Sequence, residues 1–170
     1  AVNGTAAIVE FPGVLYRGGA EQKIRKYLVD NNYVDAVIQL PPDLFFGTTI
    51  ATCIIVLKKS KTDNSVLFIN ASDEFKRAGN KNKLTPDNQQ NILGALEDRV
   101  DVDHFVKLVP NEDIAANDYN IAVSSYIEAE DTREIVDITE LNAEIGRIVS
   151  RQVELRASID RIVADLEGSA

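Results

Sequence analysis

Val34-Asp35-Ala36-Val37-Ile38-Gln39-Leu40, stopped by Pro41-Pro42, is a short apolar run closed by residues that cannot continue a strand. Such a run, with no polar alternation, suits a strand buried on both faces. Ahead of it, Ala20 to Asn32 reads as a helix, with Ile24, Tyr27 and Leu28 on one face and Lys23, Arg25 and Lys26 elsewhere. Further ahead, Thr5-Ala6-Ala7-Ile8-Val9-Glu10-Phe11 is another apolar run, closed by Pro12-Gly13, and it predicts a second buried strand. A strand–helix–strand unit results. Behind it, Ala51 to Leu57 and Ser65 to Asn70 predict two more strands, joined by the polar turn 58–64 and expected to form an antiparallel pair at the sheet edge. This order specifies an open α/β sheet.

Residues 71–85 are polar, carry Lys76, Arg77, Lys81 and Lys83, and read as a flexible basic loop. Thr85-Pro86 opens a helix to about Arg99, with Thr85 as N-cap and Pro86 in the first helical position. His104 to Val109 suggests a strand, and 117–121 a turn. The last segment is the most regular. Ile138, Leu141, Ile145, Ile148, Gln152, Leu155, Ile159, Ile162 and Leu166 alternate spacings of three and four, a heptad seam with one polar member, Gln152. Asp137 or Thr139 would cap its start and Gly168 its end. A helix of about 29 residues is roughly 43 Å long. It either folds back on the domain or packs on a partner, and the regular heptad favours a partner.

The 170 residues suffice for one compact core, and 45% apolar with 26% charged is an ordinary globular balance. With no span-length apolar run and no signal peptide, the expectation is a cytoplasmic protein without membrane contact. The net charge of −9 is uneven: residues 1–83 carry 11 basic and 8 acidic side chains, residues 84–170 carry 7 and 19. The first part is suited to phosphate and the second repels it; two solvated faces would give the same sums. Cys53, the single cysteine, sits in a strand and reads as core packing. With one histidine, His104, far from it in sequence, neither a zinc site nor a Cys–His dyad is indicated.

Gly13, Gly18 and Gly19 match neither Gly-x-Gly-x-x-Gly nor a Walker loop; Gly18-Gly19 reads as a tight turn or, less favoured, as backbone amides at a helix N-terminus open to an anion. Leu40-Pro41-Pro42-Asp43 has the double proline of an amino-methyltransferase tetrapeptide, but not the polar residue before it or the aromatic after it. Phe45-Phe46-Gly47-Thr48 follows a buried strand, where ligands of open α/β sheets gather. A phenylalanine there either stacks on an extruded base or tucks into the core.

The stretch Phe11-Pro12-Gly13-Val14-Leu15-Tyr16-Arg17-Gly18-Gly19-Ala20-Glu21, continuing to Leu28, resembles the modification subunit of type I restriction–modification systems. So do Val37-Ile38-Gln39-Leu40-Pro41-Pro42-Asp43-Leu44-Phe45-Phe46-Gly47-Thr48-Thr49 on to Leu57, Ala115 to Ile121, and Ser125-Tyr126. The likeness implies the C-terminal half of a Rossmann-like, S-adenosylmethionine-dependent methyltransferase sheet over 1–128, truncated on its N-terminal side, then a long heptad helix over 129–170. It implies methylation of the exocyclic amine of adenine by the whole subunit. The family's glycine-rich cofactor motif and Asn-Pro-Pro-Phe motif precede the matched region and are not in this chain. No catalytic, cofactor-binding or metal residue is therefore expected here, and no cofactor for the chain alone. The family places an aromatic against the flipped base, and Phe46 corresponds to it, with Phe45 as alternative and Gly47 and Thr48 beside them. The long helix corresponds to the region that meets the specificity subunit, in a complex that also holds a restriction subunit and DNA. The competing expectation is a self-contained protein- or nucleic-acid-interaction module using the basic loop 76–83.

Overall fold

The computed structural model describes residues 3–128 and 138–168. The chain divides into two units, Ala1–Glu130 and Asp131–Ala170, each described by itself. The first holds strands β1 (Thr5–Glu10), β2 (Val34–Gln39), β3 (Cys53–Lys58), β4 (Ser65–Asn70), β5 (Lys76–Ala78), β6 (Lys81–Lys83) and β7 (Val106–Pro110). Helices α1 (Ala20–Asp30), α2 (Pro86–Asp98) and α3 (Asn111–Ala116) complete it.

The main sheet has the order β1-β3-β2-β4-β7. β3 runs antiparallel to both β1 and β2, so β1 and β2 are mutually parallel and α1 crosses between them over the intervening strand. β4 is parallel to β2, and β7 closes the sheet antiparallel to β4. The α/β architecture is as expected, but two details differ. β3 and β4 are not paired; they flank β2 on opposite sides. Their turn passes the end of β2, because both edges of that strand, buried from Val34 to Ile38, need a hydrogen-bonding neighbour. β1 is not buried: every residue of it is exposed, since it stands at the sheet margin with β3 as its single neighbour among the described residues.

Side chains of the central strands alternate between two cores. Val37, Val66 and Phe68 face one layer, with Val29 of α1 and Ile114 of α3. Ile38, Leu67 and Ile69 face the other, with Ile92 of α2. The β2–β3 register shifts between Val34 and Ala36, which puts Val34 on the same side as Val37 despite their odd spacing. Burial of such side chains contributes about 1.5–3 kcal/mol each.

The buried face of α1 also differs from the apolar stripe in its sequence. Ile24 and Tyr27 are exposed, while Arg25 and Val29 are buried. Arg25 donates from Nε to the Tyr119 carbonyl at 2.7 Å and from Nη1 to the Val14 carbonyl at 2.9 Å. The guanidinium satisfies two turn carbonyls at once, which a hydrocarbon side chain cannot do.

α2 begins as its sequence signals. Asn88 N donates to Thr85 Oγ1, Asn88 Oδ1 accepts from Thr85 N, and Pro86 occupies the first turn. Segment 71–85 is ordered structure rather than loop: β5 and β6 form a hairpin around Gly79, whose φ of +65° suits a residue without Cβ. In the second unit, α4 spans Ile138–Glu167, and none of its residues is buried. The proposed cap Asp137 lies outside the described residues; Thr139 is inside the helix. No helix among the described residues is long and apolar enough to cross a membrane.

Candidate target-base loop and partner helix

Because β1, β2 and β4 are parallel, the segments leaving their carboxyl ends emerge on one rim of the sheet. These are 11–19, 40–52 and 71–85. Pro41 is buried beside Leu40, whose amide donates to the Thr52 carbonyl at 2.9 Å. The double proline thus ends β2 and anchors the base of the loop 43–50.

That loop is stapled to the β5–β6 hairpin. Asp43 takes φ +55°, and its carboxylate lies 3.2 Å from Arg77 Nη1 and 3.7 Å from Lys81 Nζ. Lys81 Nζ also donates to the Thr48 carbonyl at 2.9 Å. Asn82, buried, donates from Nδ2 to the Pro42 carbonyl at 2.8 Å and from its amide to the Asp43 carbonyl at 3.1 Å. Within the loop, Thr48 Oγ1 accepts from the Ile50 amide, and Gly47 turns at φ +77°. Leu44 packs into the core below.

Phe46 is 100% exposed on this loop and Phe45 is 41% exposed. Leaving so large an apolar ring in water has no folding benefit. The tucked arrangement is excluded for Phe46. The structure brings Phe45, Phe46, Gly47 and Thr48 together on one short loop. Their supports Asp43, Arg77, Lys81 and Asn82 escaped sequence reasoning; the Gly79-Asn80 pair between lysine-bearing segments was the signal for the hairpin.

At the neighbouring part of the rim, Gly18 and Gly19 lead into α1, and no side-chain cap bonds its first amides. Gly13 has the Arg17 guanidinium 2.6 Å from where a Cβ would stand, so its free space is used by the chain itself. Cys53 is fully buried, its Sγ 3.4 Å from the Glu10 carbonyl, and burial pushes the thiol up to about 11. It is a packing residue, not a nucleophile. His104 Nδ1 lies 3.0 Å from the Glu128 carbonyl. Among the described residues no group of acidic, histidine or cysteine side chains is arranged to hold a metal ion.

On α4, Ile138, Leu141, Ile145, Ile148, Leu155, Ile159 and Ile162 are all exposed large apolar residues, and Gln152 shares their seam and exposure. Val149 and Val163 each follow a seam position and are exposed too, so the apolar face is broader than the heptad alone.

The family model described as N-6 DNA Methylase matches residues 1–135. The chain belongs to that family. Two relatives of this N-6 DNA methylase chain are methylase subunits of type I restriction enzymes. The MpnII subunit of Mycoplasma pneumoniae is 46% identical over 165 residues, a match covering 96% of this chain and 30% of the relative. The MjaVIII subunit of Methanocaldococcus jannaschii is 36% identical, covering 96% and 29%. The crystal structure of a type I restriction–modification methyltransferase subunit from Streptococcus thermophilus superposes with a TM-score of 0.72 at 44% identity, over 74% of this chain and 27% of that one. The chain thus spans about 30% of the length of the curated relatives it matches.

Proposed function

We propose that this chain works as the C-terminal part of a type I restriction–modification methylase subunit that methylates adenine N6 with S-adenosylmethionine. In that reading it supplies the closing strands of the sheet, the side of the site that receives the extruded base, and a docking helix for the specificity subunit. The restriction subunit and DNA complete the assembly. The observation that carries it is Phe46: a fully exposed ring on a stapled loop, at the carboxyl rim of the sheet, in a chain of the N-6 DNA methylase family.

In this reading the methyl donor and the amine-accepting tetrapeptide belong to another part of the subunit: Gly13, Gly18 and Gly19 lack the spacing of a glycine-rich cofactor loop, and Leu40 and Asp43 flank the double proline where the amine-accepting residue and the stacking aromatic would stand. The role of the rim here is to orient a base. Phe46 offers a face for stacking, and the hairpin fixes the loop so that little order has to be gained on binding.

Two measurements test the reading. With 2-aminopurine at the target position, Phe46→Ala in the complete subunit should lose the fluorescence rise of base extrusion, since such stacking contributes about 1–3 kcal/mol. An unchanged rise overturns the role of Phe46. Calorimetry of the 170-residue chain with S-adenosylmethionine should show no heat of binding, and micromolar binding overturns its inactivity alone.

A further inference from the structure

We infer that the β5–β6 hairpin carries a phosphate-binding pair, Lys76 and Lys83, which holds the sugar–phosphate backbone of the DNA strand beside the base that Phe46 meets. The inference rests on the base-receiving reading of the loop.

Lys76 and Lys83 are direct cross-strand partners, so their side chains leave the same face of the hairpin. Like charges directly opposite one another destabilise a strand pair, and a two-stranded ribbon of three-residue strands has little stability to spare. Both side chains are exposed, and among the described residues neither ammonium group has a hydrogen bond or an ion pair. A repelling pair of this kind is relieved by an anion between the two ammonium groups.

The other two cations of the hairpin face a different task. Arg77 is held by Asp43, the Asn82 side chain and the Asn80 carbonyl, and Lys81 by Asp43 and the Thr48 carbonyl. These bonds fix the hairpin to the phenylalanine loop. Segment 76–83 contains four cations and no acid, and the neighbouring Asp43 offsets only part of that charge. Asp73, Glu74 and Asp87 lie just outside the segment, so the charge it presents unpaired is that of Lys76 and Lys83. A cationic ribbon rigidly joined to a solvent-facing aromatic ring is the combination that nucleic acid strands use: phosphates on the cations, a base on the ring. An acidic protein surface would use the lysines but leave Phe46 without a counterpart.

The test uses the complete methylase complex with Lys76→Ala and Lys83→Ala together, titrated with a duplex containing the target site and with an unrelated duplex over a range of salt. Affinity should fall by a similar factor for both duplexes. The slope of log affinity against log salt should become shallower by about 1.8, near 0.9 per phosphate contact. The double arginine variant should retain the parental slope. Melting of the alanine variant should not be lower, because a cross-strand repulsion has been removed. An unchanged slope overturns the inference, and an unchanged slope with weakened subunit assembly assigns the lysines to a protein partner instead. A shallower slope while Phe46→Ala keeps the 2-aminopurine signal leaves the phosphate pair standing and removes the base reading.

Discussion

Arg77 Nη1 lies 3.2 Å from Asp43 Oδ2, across 34 residues of sequence, and this contact joins the hairpin to the loop that carries Phe46. Asp43→Asn keeps a residue that tolerates φ +55° and removes only the charge. Global stability should drop by no more than about 1 kcal/mol, because the Arg77 side chain is half exposed. Hydrogen exchange of the amides from Phe45 to Ile50 should accelerate. Equal exchange in the variant and the parent would show that the carboxylate does not hold the loop.

The buried guanidinium of Arg25 makes the second prediction. Its two bonds tie α1 to the turn after β1 and to the turn 117–121. Arg25→Met should shift the urea midpoint by an amount equivalent to about 2–3 kcal/mol, as hydrogen bonds to a charged group are lost and their carbonyls stay buried. Arg25→Lys should recover little of it, because an ammonium cannot reach both carbonyls as the planar fork does. Full recovery by lysine would refute the forked geometry.

Alkaline pH should weaken the fold. Burial raises the Cys53 thiol to about 11 and also raises the Tyr126 phenol. Both groups are neutral in the native state at a pH where the unfolded chain has already lost the proton. Their stabilisation is fully present below the unfolded values and is lost as pH rises through the native ones. Denaturation midpoints should therefore decline from about pH 9 to pH 11, with a shallower decline in Cys53→Ala. Midpoints that stay level across that interval would contradict the burial of both groups. Native protein at pH 8 should resist thiol reagents until it is unfolded.

The exposed seam of α4 predicts partner loss without damage to the first unit. Ile145→Asp with Ile159→Asp places two charges on the apolar face. Co-purification with the specificity subunit should disappear, while the melting of the unit Ala1–Glu130 stays the same. Retained co-purification would remove the helix from the interface.

Local signals were the readable ones. Thr85-Pro86 announced α2 because a cap and its proline act within four residues. The runs at 34–40, 51–57 and 65–70 announced strands because burial on both faces removes polar residues. Strand order was not readable: it depends on which distant edges satisfy the backbone of β2, and the short turn at 58–64 suggested the wrong neighbours. The face of α1 misled for a chemical reason, since Arg25 goes inward to serve carbonyls and leaves Ile24 in water. Phe46 was legible as a candidate only. Its exposure follows from Asp43, Lys81 and Asn82 holding the loop, and such polar contacts leave no periodic trace in a sequence.

β1 has a practical side. Its six residues are exposed and bond to β3 along one margin, and among the described residues no strand pairs with the alternate amides and carbonyls of the other margin. Ile8 and Val9 add apolar area to that bare ribbon. Neither a lysine nor a proline interrupts Thr5–Glu10 to discourage a visiting strand. In a concentrated preparation of the isolated chain, this margin is where molecules would first stick to one another, and where a solubilising charge, such as Ala7→Lys, would do the most good.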